Sequence, residues 1–154
     1  DDFTNAEECF NKVIELNPKN EVGYLYLAGL RKKQGLLEAS YDLLNKALEV
    51  VSPSVESYSD ICIFLQTEMQ DYDKAEEFYL KSLELDSNDN LIYYNLACLK
   101  SLKHEADESL AYLERAIEYG VEAADAWEDD DFAWLQTDPR FEILVGPRPE
   151  IADV

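Results

Sequence analysis

The side chains that could perform acid–base or nucleophilic chemistry are few in this sequence. His104 is its one histidine, and it falls in a predicted turn between two helices, where an exposed residue is expected. No Ser/His/Asp or Cys/His set can be assembled without it, and nucleophilic catalysis requires such a set. The five glycines form no phosphate-binding loop. We therefore predict that the protein is not an enzyme and that it uses no cofactor.

A second candidate for chemistry is the run of four carboxylates Glu128-Asp129-Asp130-Asp131. Carboxylate oxygens are the ligands that a hard cation such as Ca²⁺ prefers. The run lacks the central glycine and the distal glutamate of a calcium-binding loop. We therefore expect no metal site here but a solvated turn, in which Asp131 caps the next helix.

The three cysteines, Cys9, Cys62 and Cys98, lie far apart, and no two of them form a Cys-x2-Cys pair. An odd number of cysteines disfavours a disulfide framework. We expect all three to serve as small apolar residues in helix packing. This usage indicates a reducing compartment and a cytoplasmic location.

Acidic residues dominate the composition, with 34 Asp and Glu against 13 Lys and Arg and a formal net charge of -21. Such a field repels phosphate backbones and anionic lipid headgroups, which argues against nucleic acid and membrane surfaces as ligands. No apolar run reaches the ~18–20 residues of a membrane-spanning helix. The charge favours a basic or apolar segment of another protein as partner; alternatively, it only keeps a helical surface soluble.

The elements that must position these residues follow a repeat. Three columns recur at steps of 34, 35 and 34 positions: Ala6, Ser40, Ala75 and Ser109; Phe10, Leu44, Tyr79 and Leu113; Val13, Ala47, Ser82 and Ala116. A fixed period of this size is typical of stacked helical units. No unit can bury its apolar face alone, so the columns predict an all-α, right-handed α-solenoid of antiparallel helix pairs.

A second set of columns marks the first helix of each pair and steps by 34 and then 35. Its members are Tyr24, Tyr58 and Tyr93; Leu27, Ile61 and Leu96; Ala28, Cys62 and Ala97. Comparing the two sets places one inserted residue between Leu65 and Ala75. We expect it in the turn Met69-Gln70-Asp71, because lengthening a loop costs little. The small residues in both sets should let paired helices approach closely.

These columns resemble the tetratricopeptide repeat (TPR) family, whose pattern is W-x2-L-G-x2-Y, then A-x3-F, A and P. The matching runs are Tyr24-x2-Leu27-Ala28, Tyr58-x2-Ile61-Cys62, Tyr93-x2-Leu96-Ala97, Ala6-x3-Phe10 and Ala75-x3-Tyr79. Arg31 and Lys100 depart from the aromatic residue that ends the first run. The resemblance divides an array at 1–120 into a half repeat (1–19) and repeats at about 20–53, 54–88 and 89–120. Because the half repeat lacks its first helix, we expect that the sequence was cut from a longer one.

The repeat breaks down after Tyr119-Gly120. Asp130 and Asp131 take the buried positions of a fifth first helix, so that helix is expected to stop. Residues 132–135 and 138–144 predict two short helices, the second with Asp138 as N-cap and Pro139 at its first position. The segment is similar to the DPRF-type terminus of many TPR arrays, so we expect residues 121–146 to cap the array before a tail at 147–154. The capping side chains would be Trp127, Phe132, Trp134, Leu135 and Phe141.

The resemblance also implies where a partner binds. In TPR proteins the concave groove is lined by first-helix residues beside the packing columns, which here gives Leu25, Tyr26, Lys32, Lys33, Ser59, Asp60, Ile63, Leu91, Tyr94 and Asn95. We expect a non-catalytic interaction module, a scaffold or adaptor, that holds a peptide or helix in this groove. Tyr26 and Tyr94 would supply apolar anchors, and the negative charge would steer the partner.

Two alternatives stay open at this point. The protein is a chaperone or assembly factor that shields an aggregation-prone client, or it is a TPR domain that forms a homodimer through the open face of its N-terminal helix.

Overall fold

The structure, a computed structural model, describes residues 2–51 and 54–149, and every regular element in these ranges is helical. The α-helices are α1 (Asp2–Leu16), α2 (Glu21–Lys33), α3 (Leu37–Val51), α4 (Val55–Phe64), α5 (Tyr72–Leu85), α6 (Asn90–Leu102), α7 (Ala106–Glu118) and α8 (Pro139–Val145). The predicted all-α class is thereby confirmed. Residues 52, 53 and 150–154, which hold one predicted repeat boundary and most of the predicted tail, lie outside the described residues.

The chain divides into two compact units, residues 1–85 (unit 1) and 86–154 (unit 2). Unit 1 contains α1 and the helix pairs α2–α3 and α4–α5. Unit 2 contains the pair α6–α7 and the C-terminal elements, which end with α8. Helix pairs of this kind are the building blocks of an α-solenoid.

The two helices of each pair touch at the predicted small residues. A side chain of one helix donates a hydrogen bond to a backbone carbonyl of the other: Ser40 to Ala28 at 2.8 Å, Ser109 to Ala97 at 2.8 Å, and Cys62 to Ala75 at 3.5 Å. All six residues are fully buried. The partners are 12 positions apart in two pairs and 13 in the third, so the inserted residue lies inside the α4–α5 pair.

The inserted residue forms a π-helical turn, Leu65–Met69, that continues α4 (the π-turn). Gln70 follows it with a left-handed backbone (φ 55°), as Gly35 and His104 do at the corresponding positions of the other two pairs. This position of the turn is therefore left-handed in all three pairs. The prediction of a lengthened Met69-Gln70-Asp71 loop is wrong, because a wider helical turn before the loop accommodates the extra residue.

The left-handed backbone at Gln70 is a site where glycine should be better tolerated. Residues with a Cβ meet the following carbonyl oxygen in this region, and glycine does not. Gln70→Gly should raise the free energy of unfolding by up to about 1 kcal/mol, measured by urea denaturation. Gly35→Ala is the matched reverse change, since its Cβ would meet no atom within 4 Å, and it should lower stability by roughly the same amount. Opposite signs for both variants would contradict the expectation.

The C-terminal elements of unit 2 are three short 3₁₀ turns, Ala123–Trp127, Asp130–Phe132 and Leu135–Thr137, followed by α8. As predicted, the fifth first helix does not form. The Asp138 side chain accepts a hydrogen bond from the Arg140 amide, and Pro139 opens α8. Trp127, Phe132, Leu135 and Phe141 are buried against Ala97, Cys98 and Leu113 of α6 and α7, with Trp134 packed beside them.

The cysteines only partly follow the expectation. Cys62 and Cys98 are buried in helix packing, whereas Cys9 is exposed on α1. The prediction for Cys9 is wrong, because no described residue covers its side chain. No helix in the described ranges has both the length and the apolar character needed to cross a bilayer.

Candidate functional site

The candidate site is a groove of about 820 Å³ in unit 1, formed by α1, α2, α4 and the π-turn. Helix α1 runs antiparallel to α2, since Glu7 pairs with Arg31 and Phe10 stacks on Tyr26 with ring centroids 5.3 Å apart. Helix α4 runs beside α2 in the same direction. This direction follows because Gly29 lies against the Phe64 ring and the Lys32 ammonium donates to the Glu68 carbonyl.

Apolar side chains make up most of the groove wall. The lining residues are Phe3, Ala6 and Phe10 of α1; Val22, Leu25, Tyr26, Gly29, Leu30 and Lys33 of α2; Asp60, Ile63 and Phe64 of α4; and Thr67 and Glu68 of the π-turn. Tyr26 is 57% exposed, Phe3 48% and Ile63 47%. Large apolar side chains that stay this exposed in a concave surface are typical of a binding site for an apolar ligand.

The structure brings together five of the ten predicted groove residues. Leu25, Tyr26, Lys33, Asp60 and Ile63 all line the groove. Lys32 lies at its edge, where its ammonium group binds the π-turn, and Ser59 is half-buried on α4 outside the lining.

The other three predicted residues lie on α6 in unit 2. Leu91 is 63% exposed, and Asn95 is half-buried. The Tyr94 hydroxyl donates to the Asp129 carboxylate at 2.9 Å, and its ring packs edge-on against Phe132 with centroids 5.7 Å apart. The expectation that Tyr94 offers an open aromatic face to a partner is therefore wrong, because the side chain is engaged in the packing of the C-terminal elements.

Sequence reasoning missed several lining residues. Ala6 and Phe10 belong to the packing columns, and Phe3 lies one turn before them on the same face of α1. Leu30 and Phe64 occupy equivalent positions of α2 and α4, 34 residues apart. A column drawn through these two positions would have found them. Glu68 could not be found this way, because it lies inside the π-turn.

The charged residues around the groove lie on α1, α2, α4 and the π-turn. Arg31 binds Glu7 through two hydrogen bonds, at 2.5 and 3.0 Å, and these bonds hold the pKa of Glu7 below its ordinary value. This pair explains the departure of Arg31 from the TPR pattern, since it fastens α1 to α2. Glu68 and Lys33 lie at the end of the groove next to the C-terminus of α2. Asp60 lies two helical turns before Glu68.

The acidic run lies in unit 2, far along the chain from the groove residues. Asp129, not Asp131, caps the following 3₁₀ turn, because its side chain accepts the Asp131 amide. The Cys98 thiol and the carboxylates of Asp129 and Asp131 place one ligand atom each within 4.8 Å of one another.

Burial and the nearby carboxylates raise the pKa of the Cys98 thiol, which favours its protonated form. Asp129 accepts hydrogen bonds from Tyr94 and Cys98. Burial and the neighbouring carboxylates also raise the pKa of Asp131. The cluster therefore acts as a hydrogen-bonded anchor for the C-terminal elements.

His104 is exposed, as expected for a turn residue. Its backbone is left-handed (φ 59°), and its ring lies against Trp134 with centroids 4.8 Å apart. This ring contact is that of a packing residue.

Comparison with known proteins bears on the fold and the family. A sequence model of the tetratricopeptide repeat family matches residues 1–20 and 65–89. The TPR repeat-containing protein MJ1428 of Methanocaldococcus jannaschii is 23% identical over 126 residues, which cover 79% of this chain and 21% of that protein. The chain thus spans about a fifth of the length of this curated relative.

Two solved structures share the fold. The crystal structure of MamA superposes with a TM-score of 0.59 at 17% identity and covers 94% of this chain and 82% of its own. YrrB, described as a TPR protein with an unusual peptide-binding site, superposes with a TM-score of 0.57 at 16% identity and covers 93% and 74%. The chain is thus similar in sequence to tetratricopeptide repeat proteins over the matched segments, and it shares the fold of these two solved structures.

Proposed function

We propose that the protein is a non-catalytic interaction module whose unit 1 groove binds an apolar segment, a peptide or a helix, of another protein. The observation that carries this proposal is the concave aromatic surface formed by Phe10, Tyr26 and Phe64 from three separate helices. Rigid aromatic residues in a concave surface supply large contact area at low entropic cost, and they dominate the energetics of many protein interfaces.

The acidic composition supports a steering role for charge in this function. With a formal net charge of -21, the protein attracts basic segments over distances of about a Debye length, roughly 8 Å at physiological salt. Binding to a basic partner should therefore slow as salt is added, whereas the apolar contacts in the groove should persist.

The groove is tested by removing two of its most exposed apolar side chains. Tyr26→Ala with Ile63→Ala should weaken binding of a partner isolated with the protein at least tenfold, since about 1.4 kcal/mol is lost for each factor of ten. Fluorescence anisotropy measures the affinity, and circular dichroism should show unchanged helicity because both side chains are exposed.

Ile143→Ala is the matched control for this experiment. Ile143 is 83% exposed and lies on α8 in unit 2, so its removal should leave the affinity unchanged. Equal affinities of the groove variant and the control would exclude the groove as the binding site.

A second candidate is self-association through α1. Phe3, Val13 and Leu16 of this helix are 48%, 39% and 76% exposed, which favours contact with another apolar surface. Sedimentation at several protein concentrations distinguishes a homodimer from a monomeric adaptor.

We also propose that residues 121–146 cap the repeat array at 1–120, with a tail at 147–154. This proposal is supported by the burial of Trp127, Phe132 and Phe141 against α6 and α7. The DPRF-type resemblance of this segment and a cytoplasmic, reducing location remain predictions of the same kind.

A further inference from the structure

Two carboxylates of the acidic run are held close together where the C-terminal elements of unit 2 meet α6. One oxygen of Asp129, one oxygen of Asp131 and the Cys98 sulfur lie within 4.8 Å of one another. Cys98 is 5% exposed, and both aspartates are half-buried. Two ionised carboxylates this close repel each other, and the repulsion is stronger where burial excludes water.

Hydrogen bonds stabilise the negative charge on only one of the two carboxylates. The Asp129 carboxylate accepts from the Tyr94 hydroxyl at 2.9 Å, from the Cys98 thiol at 3.7 Å and from the Asp131 amide at 2.9 Å. In the part of the chain that the structure describes, no donor stabilises the Asp131 carboxylate, whose charge is opposed by burial and by the neighbouring carboxylates. Asp131 is therefore the residue at which a proton relieves the repulsion.

The backbone contacts of Asp131 keep it beside Asp129. The Ser101 hydroxyl of α6 donates to the Asp131 carbonyl at 2.6 Å, and the Ser101 carbonyl accepts a hydrogen bond from the Trp134 indole at 2.6 Å. The next residue, Phe132, is fully buried. The two carboxylates can therefore separate only if the C-terminal elements loosen their contact with α6.

The titratable groups that act on this cluster carry no positive charge. They are Tyr94 and Cys98 of α6 with Asp125, Asp129, Asp130 and Asp131 of the C-terminal elements. The lysines of α6, Lys100 and Lys103, are paired with Glu105, and the His104 ring lies against Trp134. Burial and the neighbouring negative charges together raise the pKa of Asp131 above its ordinary value.

We propose that this cluster is a pH-sensitive switch, in which the C-terminal elements dock more firmly on α6 when Asp131 takes up a proton. Folding places Asp131 beside Asp129, so the folded state binds this proton more tightly than the unfolded chain does. Such a group contributes stability that is fully present below its unfolded-state pKa and is lost as the pH rises through its folded-state pKa. Through this cluster, a fall in pH strengthens the docking and a rise weakens it.

Asp131→Asn tests the proposal, because asparagine keeps the shape of the side chain and removes its charge. Urea denaturation of the 154-residue protein is followed by tryptophan fluorescence from pH 7 to pH 4, with EDTA present to exclude metal ions. At pH 7 the urea midpoint of Asp131→Asn should exceed that of the wild type by roughly 0.5 M. This difference should shrink as the pH falls, because the wild-type side chain then becomes neutral as well.

Asp130→Asn is the matched control, since it removes the same charge from an exposed neighbour and should leave the wild-type pH dependence largely unchanged. Acid weakens the pair of Lys100 and Glu105 in all three proteins alike, so the result lies in the differences between the curves. An Asp131→Asn midpoint at or below the wild-type midpoint at pH 7 would overturn the proposal. So would a difference that stays constant down to pH 4.

An NMR titration of the side-chain carboxyl carbons measures the proton affinity directly in the folded wild-type protein. The Asp131 signal should titrate above the ~3.9 of an unperturbed aspartate. Asp138 is the internal reference, because its hydrogen bonds with Arg140 lower its pKa to about 2. An Asp131 titration at or below ~3.9 would rule out the switch even if Asp131→Asn does not fold.

Discussion

Replacing Phe141 by alanine is expected to lower the free energy of unfolding of unit 2 by about 3–5 kcal/mol. Phe141 is fully buried, and its ring packs against Trp127 with centroids 5.0 Å apart and against Phe132 at 5.8 Å. Truncation removes the transfer free energy of the ring and leaves a cavity that these aromatic neighbours can only partly fill. Because α8 is only seven residues long, it has little stability without this anchor.

Urea denaturation followed by tryptophan fluorescence measures the effect directly. Both tryptophans, Trp127 and Trp134, lie in unit 2, so the emission reports on this unit. Ile143→Ala on the same helix is the control, since an 83% exposed side chain should contribute less than about 0.5 kcal/mol. A loss below 1 kcal/mol for Phe141→Ala would show that α8 does not anchor the C-terminal elements.

Removing the partners of the buried Lys100 is expected to lower the free energy of unfolding more than replacing Lys100 itself. Its side chain is 5% exposed, and its ammonium group lies 2.7 Å from Glu105 and 2.6 Å from Glu108. Glu105→Gln with Glu108→Gln should cost roughly 3 kcal/mol, because a buried charge then loses both of these carboxylates. Lys100→Met should cost less than about 1.5 kcal/mol, since methionine fills similar space without a charge.

The same ion pair should also make stability depend on pH. The hydrogen bond from Lys100 lowers the pKa of Glu105 below its ordinary value of 4.5. A carboxyl group whose pKa is lowered in the folded state stabilises the protein above the unfolded-state pKa, and this contribution is lost as the pH falls through the folded-state pKa.

Urea midpoints measured from pH 7 down to pH 3 test this dependence. The wild-type protein should therefore lose more stability below pH 4.5 than Lys100→Met does. Parallel curves for the two proteins would mean that the pair contributes nothing to stability. A large loss for Lys100→Met at pH 7 would instead mean that the ammonium group itself is required.

Much of the fold could be predicted from sequence, because it depends on residues that repeat. Ala28 with Ser40 and Ala97 with Ser109 mark helix contacts at a fixed spacing, and close packing makes this spacing visible in the columns. The hydrogen bonds across these contacts were not predicted, because the columns indicate only that a small side chain is needed and do not indicate that serine or cysteine donates a hydrogen bond.

The features that sequence could not give are those that do not repeat. The π-turn uses one extra residue, and the spacing of the columns does not say whether that residue widens the helix or lengthens the loop. Tyr94 is an aromatic residue at a predicted groove position, but its side chain contacts Asp129 and Phe132, which are more than 30 positions away. The groove residues that were predicted lie on α2 and α4. Those of α1 were not predicted, because their exposure depends on what covers that helix.

The hydrogen bonds at the small-residue contacts join residues only 12 or 13 positions apart, and this short span bears on how fast the protein folds. Each helix pair can form its central contact after closing a loop of a dozen residues, which takes on the order of 10–100 ns in an unfolded chain. Proteins dominated by such local contacts fold in microseconds to milliseconds. A nascent pair can therefore bury its small-residue contact soon after its second helix is synthesised, and its apolar surface is exposed to other chains only briefly.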